Sequence, residues 1–327
     1  MRIGVPKETA DNETRVAIVP VSIPKLKKLG FDVIIQEGAG KLSGYSDSEY
    51  TEKGAQIGKL DEVMSNELIA SINIPDYKIM KKGQMLACIA DPFRNLEQTK
   101  EIIDAGITLL SLEVIPRRLS KGQSMDVNSS QDNLSGYKAA LMGSQHIAKM
   151  VPMMMTSAGT VRPAKFIIQG AAVAGLQAIA TAKRLGAAVQ AIDVRLAAKQ
   201  DTESLGAKFI DVPGWKDAES SSGHASLFTD KGLQDAFDNA LMNSVKDADV
   251  VITTARLFGA NAPKLFFGKE NNDKMTKEMK EGSVIVDMNT DTGGNIIESK
   301  EGEIVEKDGV KIVGIPMLCR TVPNTAS

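Results

Sequence analysis

One stretch restricts the fold of this chain more than any other. The apolar run Phe166-Ile167-Ile168 leads into Gly170-Ala171-Ala172-Val173-Ala174-Gly175, a helical pattern from Leu176 to Leu185, a break at Gly186, and a second apolar run from Val189 closed by Asp193. Strand, glycine turn, helix, strand and acid in that order make a βαβ unit, which places the chain among the open parallel α/β proteins. Gly170 permits the tight turn and Gly175 lets helix and strand pack closely, while the helix start, with Val173 and Ala174 in the turn, offers free N–H groups and a positive end to a pyrophosphate. Asp193, about 20 residues on, is placed to accept hydrogen bonds from adenosine ribose hydroxyls. That acid favours NAD over NADP. Ala172 departs from the pattern, because it sets a methyl group where a missing side chain would let phosphate approach the backbone. A glycine turn alone also fits an ordinary connection; the strand, helix and acid around it decide for a dinucleotide site.

The same alternation continues on both sides of this unit. The second half shows strand runs at Lys165 to Gln169, Val189 to Asp193, Lys208 to Ile210, Asp249 to Thr253, Ser283 to Asp287 and Lys311 to Gly314, with a helix from Gln234 to Val245. The first half has strands at Ile3 to Val5, Val33 to Ile35, Leu68 to Ile74, Met85 to Ile89 and Ile107 to Leu112, with helices at Ile23 to Leu29 and Leu96 to Ala105. A polar stretch, Arg117 to Asn133, separates the halves and precedes a helical pattern from Leu134 to Met154. The expected architecture is therefore α/β: two Rossmann-like domains with parallel sheets joined by a long helix at 134–154, with the cofactor in the cleft between them. Residues 1–133 with the chain end, about 315–327, form the first domain, and 134–314 the second. At 327 residues, the chain is long enough for each to bury its own core.

Charge and cysteine content exclude several classes. The formal net charge is −2 with Lys and Arg dispersed, which leaves no footprint for nucleic acid. Cys88 and Cys319 stand far apart without metal-ligand spacing, so reduced thiols in a cytosolic compartment are expected and a metal is not. The start, Met1 to Val5, enters a strand directly rather than a leader, and no apolar run reaches the roughly 20 residues of a membrane helix. Direct membrane insertion is not expected. Ser220-Ser221-Ser222-Gly223, followed by His224, reads as a mobile surface loop.

Several segments together resemble the NAD(H)-binding component of proton-translocating nicotinamide nucleotide transhydrogenases, which shares its fold with alanine dehydrogenases. They are Arg2 to Glu8 with Arg15-Val16-Ala17, Pro116-Arg117 through Gln123-Ser124-Met125-Asp126, Asn133 to Tyr137, Pro152 to Thr156, Gly175 through Asp193-Val194-Arg195, and Gly293-Gly294-Asn295. The resemblance implies hydride transfer from NADH on this component to NADP(H) held as co-substrate on a partner component, coupled to proton movement by a membrane-spanning partner. Such a reaction places no proton; it requires two nicotinamide rings held in contact in a dry, oriented pocket. The resemblance gives that orienting work to Gln123, nearest the ring junction, and to Arg117, Asp126 and Ser129. It adds Val194, Arg195, Gly223 and Arg256 to the cofactor-binding set. It also implies a homodimer, cytoplasmic and peripheral to the inner membrane through its partner subunits.

From the residues alone, Arg117 also fits a solvated loop charge, Gln123 and Ser129 turn-forming side chains, and Asp126 a cap on the following helix. Arg15 fits a substrate- or structure-binding arginine, or a surface partner for Glu8 or Glu13. An alanine dehydrogenase reading requires a lysine and a histidine in the first domain, and the matching stretches, Ser71 to Pro75 and Ala87 to Asp91, hold neither. The family's mobile loop has tyrosine after glycine where His224 stands, Arg256 replaces an apolar residue, and the chain stops at Asn324-Thr325-Ala326-Ser327 where the family continues into a helix. These departures, with Ala172, are what a second reading rests on: a diverged, non-catalytic dinucleotide-binding or assembly protein of the same fold.

Overall fold

The computed structural model of the chain describes residues 1–116, 120–214, 230–257, 259–265 and 269–327. They divide into two compact units, Met1–Gln131 with Cys319–Ser327, and Asp132–Leu318.

The first unit is built on six parallel strands: β1 (Arg2–Val5), β2 (Asp32–Gln36), β3 (Gln56–Gly58), β4 (Leu68–Ala70), β5 (Met85–Cys88) and β6 (Thr108–Ser111). Their order across the sheet is β3-β2-β1-β4-β5-β6, so the direction of winding reverses between β1 and β4. Helices α1 (Ile23–Lys28), α2 (Asp47–Glu52), α3 (Leu60–Met64) and α4 (Leu96–Asp104) connect them, followed by α5 (Ser120–Gln123). Helix α2 begins at a capping box in which Ser46 and Glu49 satisfy each other's main-chain N–H groups. Ile3, Val5, Val33 and Ile35 meet in one core and Ile69, Leu86, Cys88 and Ile102 in a second.

The second unit repeats the plan. Its main sheet contains β9 (Lys165–Gln169), β10 (Ala188–Ile192), β11 (Lys208–Phe209), β12 (Val250–Thr253), β13 (Val284–Asp287), β14 (Glu303–Lys307) and β15 (Val310–Gly314), in the order β11-β10-β9-β12-β13-β15-β14. Among the described residues, its pairings are parallel except β14 with β15, an antiparallel edge. Alternate residues of the central strands go to opposite cores: Phe166, Ile168, Val250 and Ile252 to one, Ile167, Val251 and Ile285 to the other. A sheet buried on both faces requires continuous apolar runs, and that is why these strands are legible in the sequence. Helices α7 (Val173–Arg184), α8 (Ala197–Ser204), α9 (Lys231–Val245) and α10 (Lys269–Glu278) accompany this sheet, and α11 (Pro323–Ala326) lies in the returning chain end.

The expected parallel α/β architecture is present, and a long helix, α6 (Val127–His146), links the two units. Its position corrects the expected span of 134–154. The polar residues 127–133 are helical because Asp126 caps them, its Oδ1 accepting from Ser129 N at 3.0 Å and its Oδ2 from Ser129 Oγ at 2.6 Å. At the other end the chain leaves the helix before Pro152, which has no N–H to continue the ladder. Residues Met154–Thr156 and Gly159–Val161 then form a hairpin, β7 and β8. The strand expected over Leu68 to Ile74 also stops early, at Ala70, where Ser71 Oγ turns the chain by donating to Asn73 O at 2.7 Å. No described helix is long and apolar enough to cross a membrane.

Candidate dinucleotide site

Strand order in the second unit reverses between β9 and β12, which places a crevice at the carboxyl ends of these strands. The glycine turn sits there. Gly170 has φ +91°, a left-handed conformation that side chains disfavour. A Cβ added at Gly175 would overlap the Gly170 carbonyl oxygen, so the helix can start this close to the strand only with glycine at that position. Both glycines do what the motif asks.

Ala172, the departure, occupies the N-cap of α7 with φ −85° and ψ −164°, extended backbone open to any residue, and its methyl group is exposed. Glycine is therefore not required there by conformation. The side chain at this N-cap makes no capping hydrogen bond. The first N–H groups of α7, with Val173 and Ala174 half-buried and Gly175 buried in the opening turn, remain available to an anion, so the residues present fit a pyrophosphate.

Asp193 belongs to the same piece of structure. Buried at the end of β10, it accepts from Ala171 N at 2.7 Å through Oδ2, and from Arg195 N at 2.8 Å and Nε at 3.0 Å through Oδ1. Arg195 Nη2 adds a contact to Oδ2 at 2.9 Å. The guanidinium grips the carboxylate side-on, while Val194 between them packs into the core shared by Ile167 and Ile192. Acid, arginine and turn are mutually fixed.

A further contributor escapes the sequence reading. Thr254, just past β12, donates through Oγ1 to Gly170 O at 2.9 Å and through its main-chain N to Gln169 O at 2.9 Å. Its signal is present in the sequence, a hydroxyl at the end of the strand across the winding reversal from the glycine turn. Arg256, in the same loop, pairs through Nη2 with Asp291 Oδ2 at 3.0 Å.

The loop residues lie in the first unit. Gln123 ends the short helix α5 with an exposed side chain, and Asp126 and Ser129 form the cap of α6 described above. Arg117 and Gly223 fall outside the described residues. Arg15 is not a surface residue. Its side chain is buried against Glu13 by a two-pronged pair, Nε to Oε1 and Nη2 to Oε2, both at 2.7 Å. Nη1 reaches Gln131 Oε1 at 2.8 Å and Cys319 Sγ at 3.7 Å, tying the start of α6 and the chain end to the first sheet. Burial works to raise the Glu13 carboxyl, but the Arg15 bonds and charge and the Asn73 amide hold it at about 2. Asn73, which stands in the stretch where alanine dehydrogenases carry the lysine, spends its amide on Glu8 Oε2 at 3.0 Å and Glu13 Oε2 at 3.1 Å.

Two doubly wound α/β units, one with a glycine turn and a strand-end acid joined by hydrogen bonds, define a protein of the Rossmann class. Residues 4–135 match the model of the alanine dehydrogenase/PNT N-terminal domain and residues 139–327 that of the C-terminal domain of the same family. The chain belongs to the alanine dehydrogenase/PNT family. It is 41% identical to an NAD(P) transhydrogenase subunit alpha protein of Rhodospirillum rubrum, over 96% of this chain and 83% of that protein. Among solved structures it superposes on a transhydrogenase from Sinorhizobium meliloti with a TM-score of 0.88 and 39% identity, covering 100% of this chain and 89% of that one. An L-alanine dehydrogenase gives a TM-score of 0.81 and 26% identity, covering 100% and 85%.

Proposed function

We propose that this chain is the NAD(H)-binding component of a transhydrogenase, an oxidoreductase in which hydride passes between NADH here and NADP bound on a partner component. The observation that carries the reading is the hydrogen-bonded unit of Gly170 turn, uncapped α7 and Asp193, in a chain 41% identical to a transhydrogenase alpha subunit protein. The nicotinamide ring supplies hydride donation and acceptance when bound. The protein's own residues do the rest. The opening N–H groups of α7 hold the pyrophosphate, Asp193 with Val194 and Arg195 receives the adenosine ribose, and Arg256 belongs to the loop beside the turn. Gln123, Asp126, Ser129 and Arg117 orient the nicotinamide end, and Gly223 belongs to the cofactor-binding set. No acid or base is needed, because no proton is placed.

The assembly follows from the same reading: a homodimer docked through an NADP-binding and a membrane-spanning component, cytoplasmic and peripheral to the inner membrane. The alanine dehydrogenase alternative lacks support at its critical point, since Asn73 is engaged with Glu8 and Glu13 and offers no proton-transferring group. Ala172 imposes no backbone strain, so its departure from the motif is confined to the exposed methyl group. Titration of NADH fluorescence with the purified chain tests the reading: saturable binding is expected, and a flat titration rejects it.

A further inference from the structure

The loops that follow β12 and β13 are fastened together by two buried amides. Asn295 Nδ2 donates to Ala255 O at 2.9 Å and to Pro263 O at 2.7 Å. Asn289 Nδ2 donates to the same Ala255 carbonyl at 3.1 Å and to Asn295 Oδ1 at 2.8 Å. Asp287, fully buried at the end of β13, holds the base of this arrangement. Its Oδ1 accepts from Asn289 N at 3.1 Å and from Thr253 Oγ1 at 3.3 Å, and its Oδ2 accepts from Ile296 N at 2.9 Å. Two main-chain bonds, Ala262 N to Thr292 O and Leu265 N to Asn295 O, both at 2.9 Å, complete the seam.

A carbonyl in a loop has no ladder partner, and here two side chains are committed to one such oxygen. Buried networks of this kind fix a single geometry when their members are satisfied. What is fixed is the Thr254–Ala255 segment. Thr254 Oγ1 bonds the Gly170 carbonyl, and Ala255 N lies 3.4 Å from where a Gly170 Cβ would stand. The segment is one wall of the crevice between β9 and β12.

The strand order says which part of a dinucleotide meets that wall. Asp193 follows β10, on one side of β9, and so marks the adenosine side; α7 follows β9 itself and takes the pyrophosphate. The remaining half of the molecule falls on the other side, over the loops after β12 and β13. We propose that Asn289 and Asn295 are positioning residues for the nicotinamide half, acting through Ala255 and Thr254 without touching the ligand. The proposal rests on the NAD(H) reading above.

The test compares two probes on the full chain, NADH and ADP, the latter carrying only the adenosine diphosphate half. Calorimetric affinities are measured for wild type, Asn295→Ala and Asn289→Ala, with thermal unfolding alongside. The expected result is NADH binding weakened by about tenfold in each variant and ADP binding unchanged. Equal loss of both probes, unchanged NADH affinity, or loss of folding in both variants would overturn the proposal, since each makes the amides structural or idle. Failure of the wild-type chain to bind NADH would instead reject the NAD(H) reading, and this inference with it.

Discussion

The Asp193 carboxylate accepts the Ala171 amide hydrogen at 2.7 Å, so the acid that ends β10 and the glycine turn that ends β9 form one rigid unit. The carboxylate holds the turn, and in the proposed reading the ribose takes the place of part of the Arg195 guanidinium on it. Asp193→Ala is expected to weaken NADH binding by about 10- to 100-fold, the loss of one or two charge-assisted hydrogen bonds, and to lower the melting temperature by removing the carboxylate that ties Arg195 to the Ala171 amide. Fluorescence titration and calorimetric melting read the two effects separately.

Gly175 is the position of least tolerance in the turn. Its alanine variant places a methyl group against the Gly170 carbonyl oxygen, main chain that cannot swing aside. A stability loss of about 2 kcal/mol is expected in chemical denaturation, with NADH affinity falling as the helix start is pushed from the strand. Wild-type stability in Gly175→Ala would contradict the close approach.

Arg15 is expected to be structural. Arg15→Ala takes the guanidinium away from buried Glu13, which keeps Arg320, the Asn73 amide and the main-chain N–H groups of residues 14 and 15, at a cost of about 3 kcal/mol. NADH affinity of the folded fraction should not change, because Arg15 is spent on Glu13, Gln131 and Cys319. A variant that melts like wild type but loses NADH would make Arg15 a ligand residue.

Burial pushes the Asp238 carboxyl up to about 6 from 3.8, against the pull of the Gln234 amide. A raised carboxyl favours the fold below the unfolded value of 3.8, and that contribution is lost as pH rises through about 6. Asp238→Asn should therefore be more stable than wild type at pH 7, by about 1 kcal/mol once its partial exposure is discounted, and the gain should vanish as pH falls from about 6 to 3.8. Denaturant midpoints across that range check both size and sign.

The central strands of the second unit are legible because a sheet buried on both faces must be apolar without interruption. Strand β3, three residues ending in glycine, and edge strand β14, with Glu303, Glu306 and Lys307, carry no such run. The apolar pattern starts helix α6 seven residues late because Val127 to Asn133 is polar enough to pass for a loop, and only the Asp126 cap turns it into helix. The glycine turn and Asp193 can be read from local order. The burial of Arg15 cannot, because its partners Gln131 and Cys319 lie far along the chain. Asn289 and Asn295 look like turn residues in the sequence, since the carbonyl they share belongs to another loop.

The most direct test of the account is transfer itself. The chain is loaded with NADH deuterated at nicotinamide C4, mixed rapidly with an NADP-loaded partner component, and the product NADPH analysed by mass spectrometry. The account predicts NADPH that carries the deuterium, formed without exchange with water. Bound NADH with no transfer, or NADPH whose label has been lost to water, would contradict it.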